Sequence, residues 1–292
     1  QYTTPVRSPK HKVVPFSAGV ASMPPGVVNV HFIANVRASS AGPPGESVGS
    51  SPLSRRKRST VTAAEKRPSG VRHASALGGS LVVAGLQHKV RVHIHANDPA
   101  EVFRIAGRFG AVSGEKADDM QRQQHAAHVV GRKVAVVTDS GADIPEDEMD
   151  RLDIHMVPLR VHFGDQGYLD RVGITPEEFY DELVRNPHHP KTSQPPPGDF
   201  RRQFEFLASH YPAVVSVNLT RKVSGTCASA ESAAARIGAH GKVTVIDSEN
   251  ASLGHGLVAM YAAECAQAGY DAERVLRATR AMLPRTRTFG LI

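Results

Sequence analysis

Apolar positions recur along this chain with two periods, and each stretch is assigned by the period it keeps. From Ser80 onward, Leu81–Gly85 and Val90–His95 read as two short strands around Leu86–Lys89, a connection of hairpin length. In the second strand Val90, Val92 and Ile94 share one face, and Arg91, His93 and His95 share the other. Asn97 or Asp98 then caps a helix, with Pro99 at its first position and Glu101 in its first turn, running to about Arg108 and closed by Gly110. Ser113 to His128 is polar and reads as a linker. Lys133–Asp139 is a buried-type strand ending in the small polar loop Ser140–Pro145, which leads into a helix. That is the βα unit of an open parallel sheet, where ligands gather at the carboxyl ends of strands. The unit recurs: Ile154–Phe163, Val214–Leu219 and Lys242–Asp247 are strand-like, and Thr175 with Pro176 opens a capped helix. Leu253–Ala268 and Ala272–Leu283 keep the helical period. The expectation is an α/β protein with a parallel sheet, preceded by a small β-β-α segment.

Residues 1 to 75 keep neither period for more than a few positions. They contain nine of the 20 prolines, a Ser/Gly/Pro-rich stretch from Ser39 to Ser54 and the basic cluster Arg55–Arg58. Disorder is the expected state, or else sequence that is not native coding, since composition shifts abruptly near Gly78. The charge localises here too. Of the formal +7, residues 1–78 carry +9 and residues 79–292 carry −2. A basic leader of this kind reads as a solvated linker, so a nucleic-acid partner is not expected. No stretch approaches the roughly 18–20 apolar residues that span a bilayer, so stable membrane insertion is not expected either. Cys227 and Cys265, the only cysteines, fall on helical apolar stretches and suit a reducing, cytoplasmic setting. The chain begins with Gln1 and ends on the apolar run Phe289–Ile292, which reads as a fragment.

Two stretches carry candidate chemistry. Lys191–Gly198 (KTSQPPPG) places Thr192, Ser193 and Gln194 ahead of three prolines, and it reads as an irregular loop between two helices. Val223–Thr226 (VSGT) follows an apolar strand and opens an alanine-rich helix, so that Ser224, Gly225 and Thr226 expose N–H groups toward a small anion. Both loops gripping one carboxylate is one reading. In the other, Thr192 stabilises its own turn and Ser224 caps a helix. Asp139 and Ser140, at a strand's carboxyl end, shape the pocket; a metal-assisted phosphohydrolase built on Asp139 with His93 and His95 is the alternative. His93 and His95 could share a metal, yet two exposed strand histidines is the simpler account.

The chain resembles the DegV family of fatty-acid-binding proteins. The likeness runs through Thr138–Pro145 (TDSGADIP), Val157–Leu159, Phe163–Gly164, Ile174–Tyr180, Lys191–Pro195, Ser224–Thr226 and Val245–Ser248, in family order. Upstream, Gly79–Val83, Lys89–His95, Asn97–Pro99 and Lys116–Met120 resemble the carboxyl-terminal part of the fatty-acid kinase subunit that partners DegV proteins. The resemblance divides the chain into a leader at 1–78, a remnant of the kinase module at 79–128 and a DegV domain at 132–292, cut before its second lobe is complete. It implies binding of a long-chain fatty acid, with no further cofactor, and presentation of the carboxylate to the kinase for acyl phosphate formation. The family's carboxylate-binding hydroxyls fall on Thr192 and Ser224. The partner would be the kinase's nucleotide-binding domain, in cis upstream or in trans, so that this chain would not itself be an enzyme. The kinase module's His-x-His resembles a zinc site completed by a cysteine in a Tyr-Cys-Thr sequence; here Tyr2–Thr4 holds no cysteine.

Overall fold

The computed structural model describes residues 28–36, 77–86, 89–120, 131–237 and 242–290. The first of these segments corrects the expectation of an unstructured leader. Strand β1 (Val28–Val36) lies inside a four-stranded antiparallel sheet of order β2-β3-β1-β4, with β2 at Gly78–Leu86, β3 at Lys89–Ala96 and β4 at Gly110–Asp119. Val30, Phe32 and Ala34 alternate onto the buried face and meet Val92, Ile94 and Ala96 of β3. Helix α1 (Pro99–Gly107) covers them with Val102 and Ala106. Asp98 caps that helix, its carboxylate accepting from Glu101 N at 3.0 Å, as the sequence pattern predicts. The segment from Ser113, expected as a linker, is the outer strand β4. The antiparallel unit is therefore β-β-β-α-β rather than β-β-α. The cluster Arg55–Arg58 and Tyr2–Thr4 lie outside the described residues.

The parallel sheet appears as expected. Its order is β11-β10-β5-β6, from β5 (Val134–Asp139), β6 (Ile154–Val157), β10 (Ala213–Asn218) and β11 (Val243–Asp247). Every residue of β5 is buried, because helices cover both faces of the sheet. On one face Val134, Val136, Ile154, Val215 and Val217 pack against α2 (Glu146–Leu152), α6 (Ser252–Gln267) and α7 (Ala272–Met282). On the other, Ala135, Val137 and Val214 meet Phe200, Phe204 and Leu207 of α4 (Pro197–His210) and Ala230 and Ala233 of α5 (Thr226–Ala234). The chain leaves β5 for β6 on one side and returns to β10 on the other. The switch point of the topology therefore falls between β5 and β10, where open α/β sheets hold their ligands.

The expected single strand from Ile154 to Phe163 is two strands in two sheets. Pro158 cannot donate to a ladder, and the chain turns there, Leu159 N donating to Ser140 Oγ at 2.9 Å. Beyond it, β7 (Arg160–Phe163), β8 (Gln166–Leu169) and β9 (Pro190–Ser193) form a small antiparallel sheet of order β8-β7-β9. Gly164, at φ +59, turns β7 into β8. Helix α3 (Pro176–Arg185) carries a complete capping box between Thr175 and Glu178. The small sheet meets the antiparallel unit through an ion network. Arg160 lies 3.0 Å from Asp199 and 3.7 Å from Glu115 of β4, and Arg202 lies 3.0 Å from Asp199 and 3.6 Å from Asp118 of β4.

Phe204 is fully buried between α4 and the sheet, so Phe204→Ala should remove about 3–5 kcal/mol of unfolding free energy in a denaturant titration. A loss below about 1 kcal/mol would mean that this face of the sheet is not close-packed.

Candidate functional site

The carboxyl ends of β5 and β10 are joined by one carboxylate. Asp139 is fully buried. Its Oδ1 accepts from Gly141 N at 3.1 Å, and its Oδ2 accepts from Leu219 N at 2.9 Å and Asn218 Nδ2 at 3.2 Å. Two of these donors come from the far side of the switch point, so the acid holds two strand ends together. Beneath it His255, from α6, is also fully buried; its Nε2 lies 3.0 Å from both Thr138 Oγ1 and Val217 O, and its Nδ1 lies 3.9 Å from Asp139 Oδ1. Ser140 Oγ accepts Leu159 N and also bonds the Asp170 carboxyl, which burial pushes above its ordinary range. Asp139 and Ser140 thus act on loop geometry.

Thr192 and Ser193 do not lie in an irregular loop. They belong to β9, which pairs antiparallel with β7 (Val161↔Thr192, His162↔Lys191), and only the segment from Gln194 to the prolines is irregular. The edge of a two-strand ladder needs no donor from Pro190, the strand's first residue, which is why the prolines here permit a strand. Partners opposite each other share a face, so Thr192 lies on the face of the buried Val161 and Ser193 on the other, where its Oγ lies 3.1 Å from His162 Nε2. The Thr192 side chain is exposed, and its hydroxyl has no hydrogen-bond partner among the described residues.

Gln194 then reaches across to the second segment. Its Nε2 donates to Ser229 Oγ of α5 at 3.1 Å, and a Cβ placed on Gly225 would fall on its Oε1. A side chain at 225 would displace the Gln194 amide from the place where the two segments touch. Ser224 is half-buried; its Oγ lies 2.8 Å from Thr226 Oγ1 and accepts Thr226 N at 3.2 Å, while Gly225 occupies the N-cap position of α5. The turn before it is closed by Val223 N and Ser224 N, both donating to Thr220 O at 3.2 Å. Cys227, one residue into α5, is fully buried, and burial pushes its thiol up to about 11, so it is no nucleophile at neutral pH.

The alternative constellation is not assembled. His93 and His95 stand on β3 of the antiparallel sheet, whereas Asp139 ends β5 of the parallel sheet with its oxygens occupied by N–H groups. His93 instead neighbours His31 of β1, Nδ1 to Nε2 being 3.2 Å, and burial lowers the pKa of both rings. Among the described residues no group of three or more His, Cys, Asp or Glu side chains is arranged to hold a metal ion. Asn218, His162, Ser229 and His255 were not singled out by the pattern of the sequence; Asn218 alone had a signal, its place at the carboxyl end of a strand.

A parallel sheet covered by helices on both faces, with polar segments beyond its strand ends, defines an open α/β domain. The pattern of the DegV family, described as uncharacterised proteins, matches residues 133–291, and the chain belongs to that family. Residues 60–127 match the FakA-like middle domain of fatty acid kinase, so that match begins well before residue 79. Among relatives, protein DegV of Bacillus subtilis is 34% identical over 160 residues, covering 54% of this chain and 57% of the relative. A DegV domain-containing protein of Caldanaerobacter subterraneus is 37% identical over 155 residues, covering 53% and 55%. The chain spans about half the length of the curated relatives it matches. Two solved structures are similar: one described as fatty acid binding of a DegV family protein from Thermus thermophilus (36% identity, 52% of this chain and 54% of that one, TM-score 0.48); and DegV, a fatty acid binding protein from Bacillus subtilis (34%, 52% and 54%, TM-score 0.49).

Gly225→Ala should loosen the contact of Gln194 with the start of α5, seen as faster amide exchange at 191–194 and 225–229, and Gln194→Ala in the same chain should restore protection at 225–229 by removing the obstructing atom. Equal exchange in wild type and Gly225→Ala would contradict the contact.

Proposed function

We propose that this chain binds a long-chain fatty acid by its carboxylate, between the Thr192 and Ser224 hydroxyls, and presents that group to the nucleotide-binding domain of a fatty-acid kinase. The observation that carries the reading is the seating of Gln194 on Gly225, which draws the β9 segment and the start of α5 together at the carboxyl end of the sheet. An ionised carboxylate offers about four lone-pair sites. The free Thr192 hydroxyl, the Ser224 hydroxyl and the first-turn N–H groups of α5 supply donors of the right kind, and the partial positive charge of the helix start favours the anion. Hydroxyls hold a carboxylate without a fixed counter-charge, which leaves its oxygens nucleophilic. The bond between Ser224 and Thr226 N is compatible with this role, because a hydroxyl accepts and donates at once.

Family membership, and the fatty-acid binding stated for the Bacillus subtilis and Thermus thermophilus proteins, support the ligand class. The match of residues 60–127 to a middle domain of fatty acid kinase supports the partner, since module and binding domain share one chain here. Among the described residues no helix is long and apolar enough to cross a membrane.

Expressed and extracted, the chain should yield fatty acid near one equivalent by mass spectrometry. Thr192→Ala with Ser224→Ala should lower that content at least about tenfold, the loss of roughly 1.4 kcal/mol or more from two hydrogen bonds to a charged group. Unchanged lipid content in the double variant would reject this carboxylate site.

A further inference from the structure

The turn that bears Ser224 also bears Lys222. Lys222, Glu249, Arg280, Leu283, Pro284 and Arg287 line a cleft of about 440 Å³ at the carboxyl ends of β10 and β11. Three cations face one carboxylate there, and none of the three is within ion-pair distance of an acid among the described residues. The neighbouring Arg221 behaves differently, being held by Glu231 and, at 3.5 Å, by Asp247. Most arginines of this domain are neutralised in the same manner, as Arg132 is by Asp153 and Arg277 by Glu273. Lys222, Arg280 and Arg287 thus stand together, without an acid at ion-pair distance among the described residues, in one concave place.

The wall of the cleft is fixed. Thr288 Oγ1 lies 3.2 Å from Asn250 Oδ1 and 2.9 Å from Ala251 O, its one proton serving the two, and Asn250 Nδ2 donates to Thr286 O at 3.4 Å. Arg287, between those threonines, spends Nη1 on Thr286 O and Leu283 O, leaving other N–H donors of its fork free. Leu283 and Pro284 supply the apolar side of the cleft.

We infer that this cleft is a phosphate-binding site, taking a phosphoryl group with its two negative charges beside the carboxylate held at Ser224. Two guanidinium forks match phosphate oxygens in geometry, and Lys222 adds a point charge. One carboxylate would leave this excess of positive charge uncompensated, whereas a phosphate dianion matches it. The assignment of the cleft stands on its own residues; its purpose rests on the reading of Ser224 as a head-group ligand. A phosphoryl group joined to the acyl carboxylate and the polyphosphate of a nucleotide donor present the same chemistry here.

The test is calorimetric titration of the full chain with inorganic phosphate, pyrophosphate and, below its micelle concentration, dodecyl phosphate. Lys222→Gln/Arg280→Gln/Arg287→Gln should weaken pyrophosphate at least about tenfold, and Glu249→Gln should tighten it. The triple charge change should weaken pyrophosphate by the same factor in a Thr192→Ala/Ser224→Ala background, so that failure of the carboxylate reading does not pass for failure of this one. Dodecyl phosphate weakened by both sets of changes assigns the acyl-linked source; pyrophosphate preferred over dodecyl phosphate assigns the nucleotide source. Circular dichroism checks the fold, and Arg280→Gln alone, with an expected loss of about threefold, replaces the triple variant if that one unfolds. Equal affinity in wild type and the charge-neutral variants, or no binding of any of the three probes, overturns the proposal.

Discussion

A carboxylate without a cation holds this molecule's working end together. Asp139 is completely enclosed, and an enclosed charge costs several kcal/mol unless its lone pairs are all answered. Three N–H groups answer three of its about four lone-pair sites, and two of them come from the end of the strand on the other side of the switch point. The acid thus bridges the switch point between β5 and β10. The turn 220–224 continues from the end of β10, and β9 with its proline run approaches it through Gln194. His255 supports the arrangement from below, tying Thr138 of β5 and Val217 of β10 at 3.0 Å each.

The composition of these two segments fits the contact between them. Three consecutive prolines after Gln194 keep the chain extended and stiff, so Gln194 is delivered to α5 with little entropy left to lose. Gly225 lets it arrive, since any side chain there would meet the amide. Thr192, one pairing position from the end of β9, is then held by a ladder rather than by loop contacts. The result is a rigid rim whose polar groups are hydroxyls and N–H donors, next to a cleft whose polar groups are cations.

What the sequence disclosed followed the range of the interaction concerned. The parallel strands were legible because a strand buried on both faces is an unbroken apolar run, as in Val134–Val137, and the helix starts at Asp98 and Thr175 because capping is local. Strand β1 was hidden: Val30, Phe32 and Ala34 alternate correctly, but their partners Val92 and Ile94 lie some sixty residues later and the flanks are rich in proline. The break at Pro158 and the strand at Pro190–Ser193 were likewise decided by pairing with distant chain. At the site, residue type pointed to Thr192 and Ser224, and a strand-end position to Asp139. The seating of Gln194 on Gly225, and the meeting of Lys222 with Arg280 and Arg287, join residues far apart in the chain and leave no periodic trace.

The account's central claim is that one carboxylate lies between the Thr192 and Ser224 hydroxyls. Nuclear magnetic resonance of palmitic acid labelled at its carboxyl carbon, bound to this chain, reports on that group directly. The account predicts a bound carboxyl resonance distinct from that of the free acid, shifted in Thr192→Val and again in Ser224→Ala. A bound resonance that is identical in wild type and in both variants would contradict it.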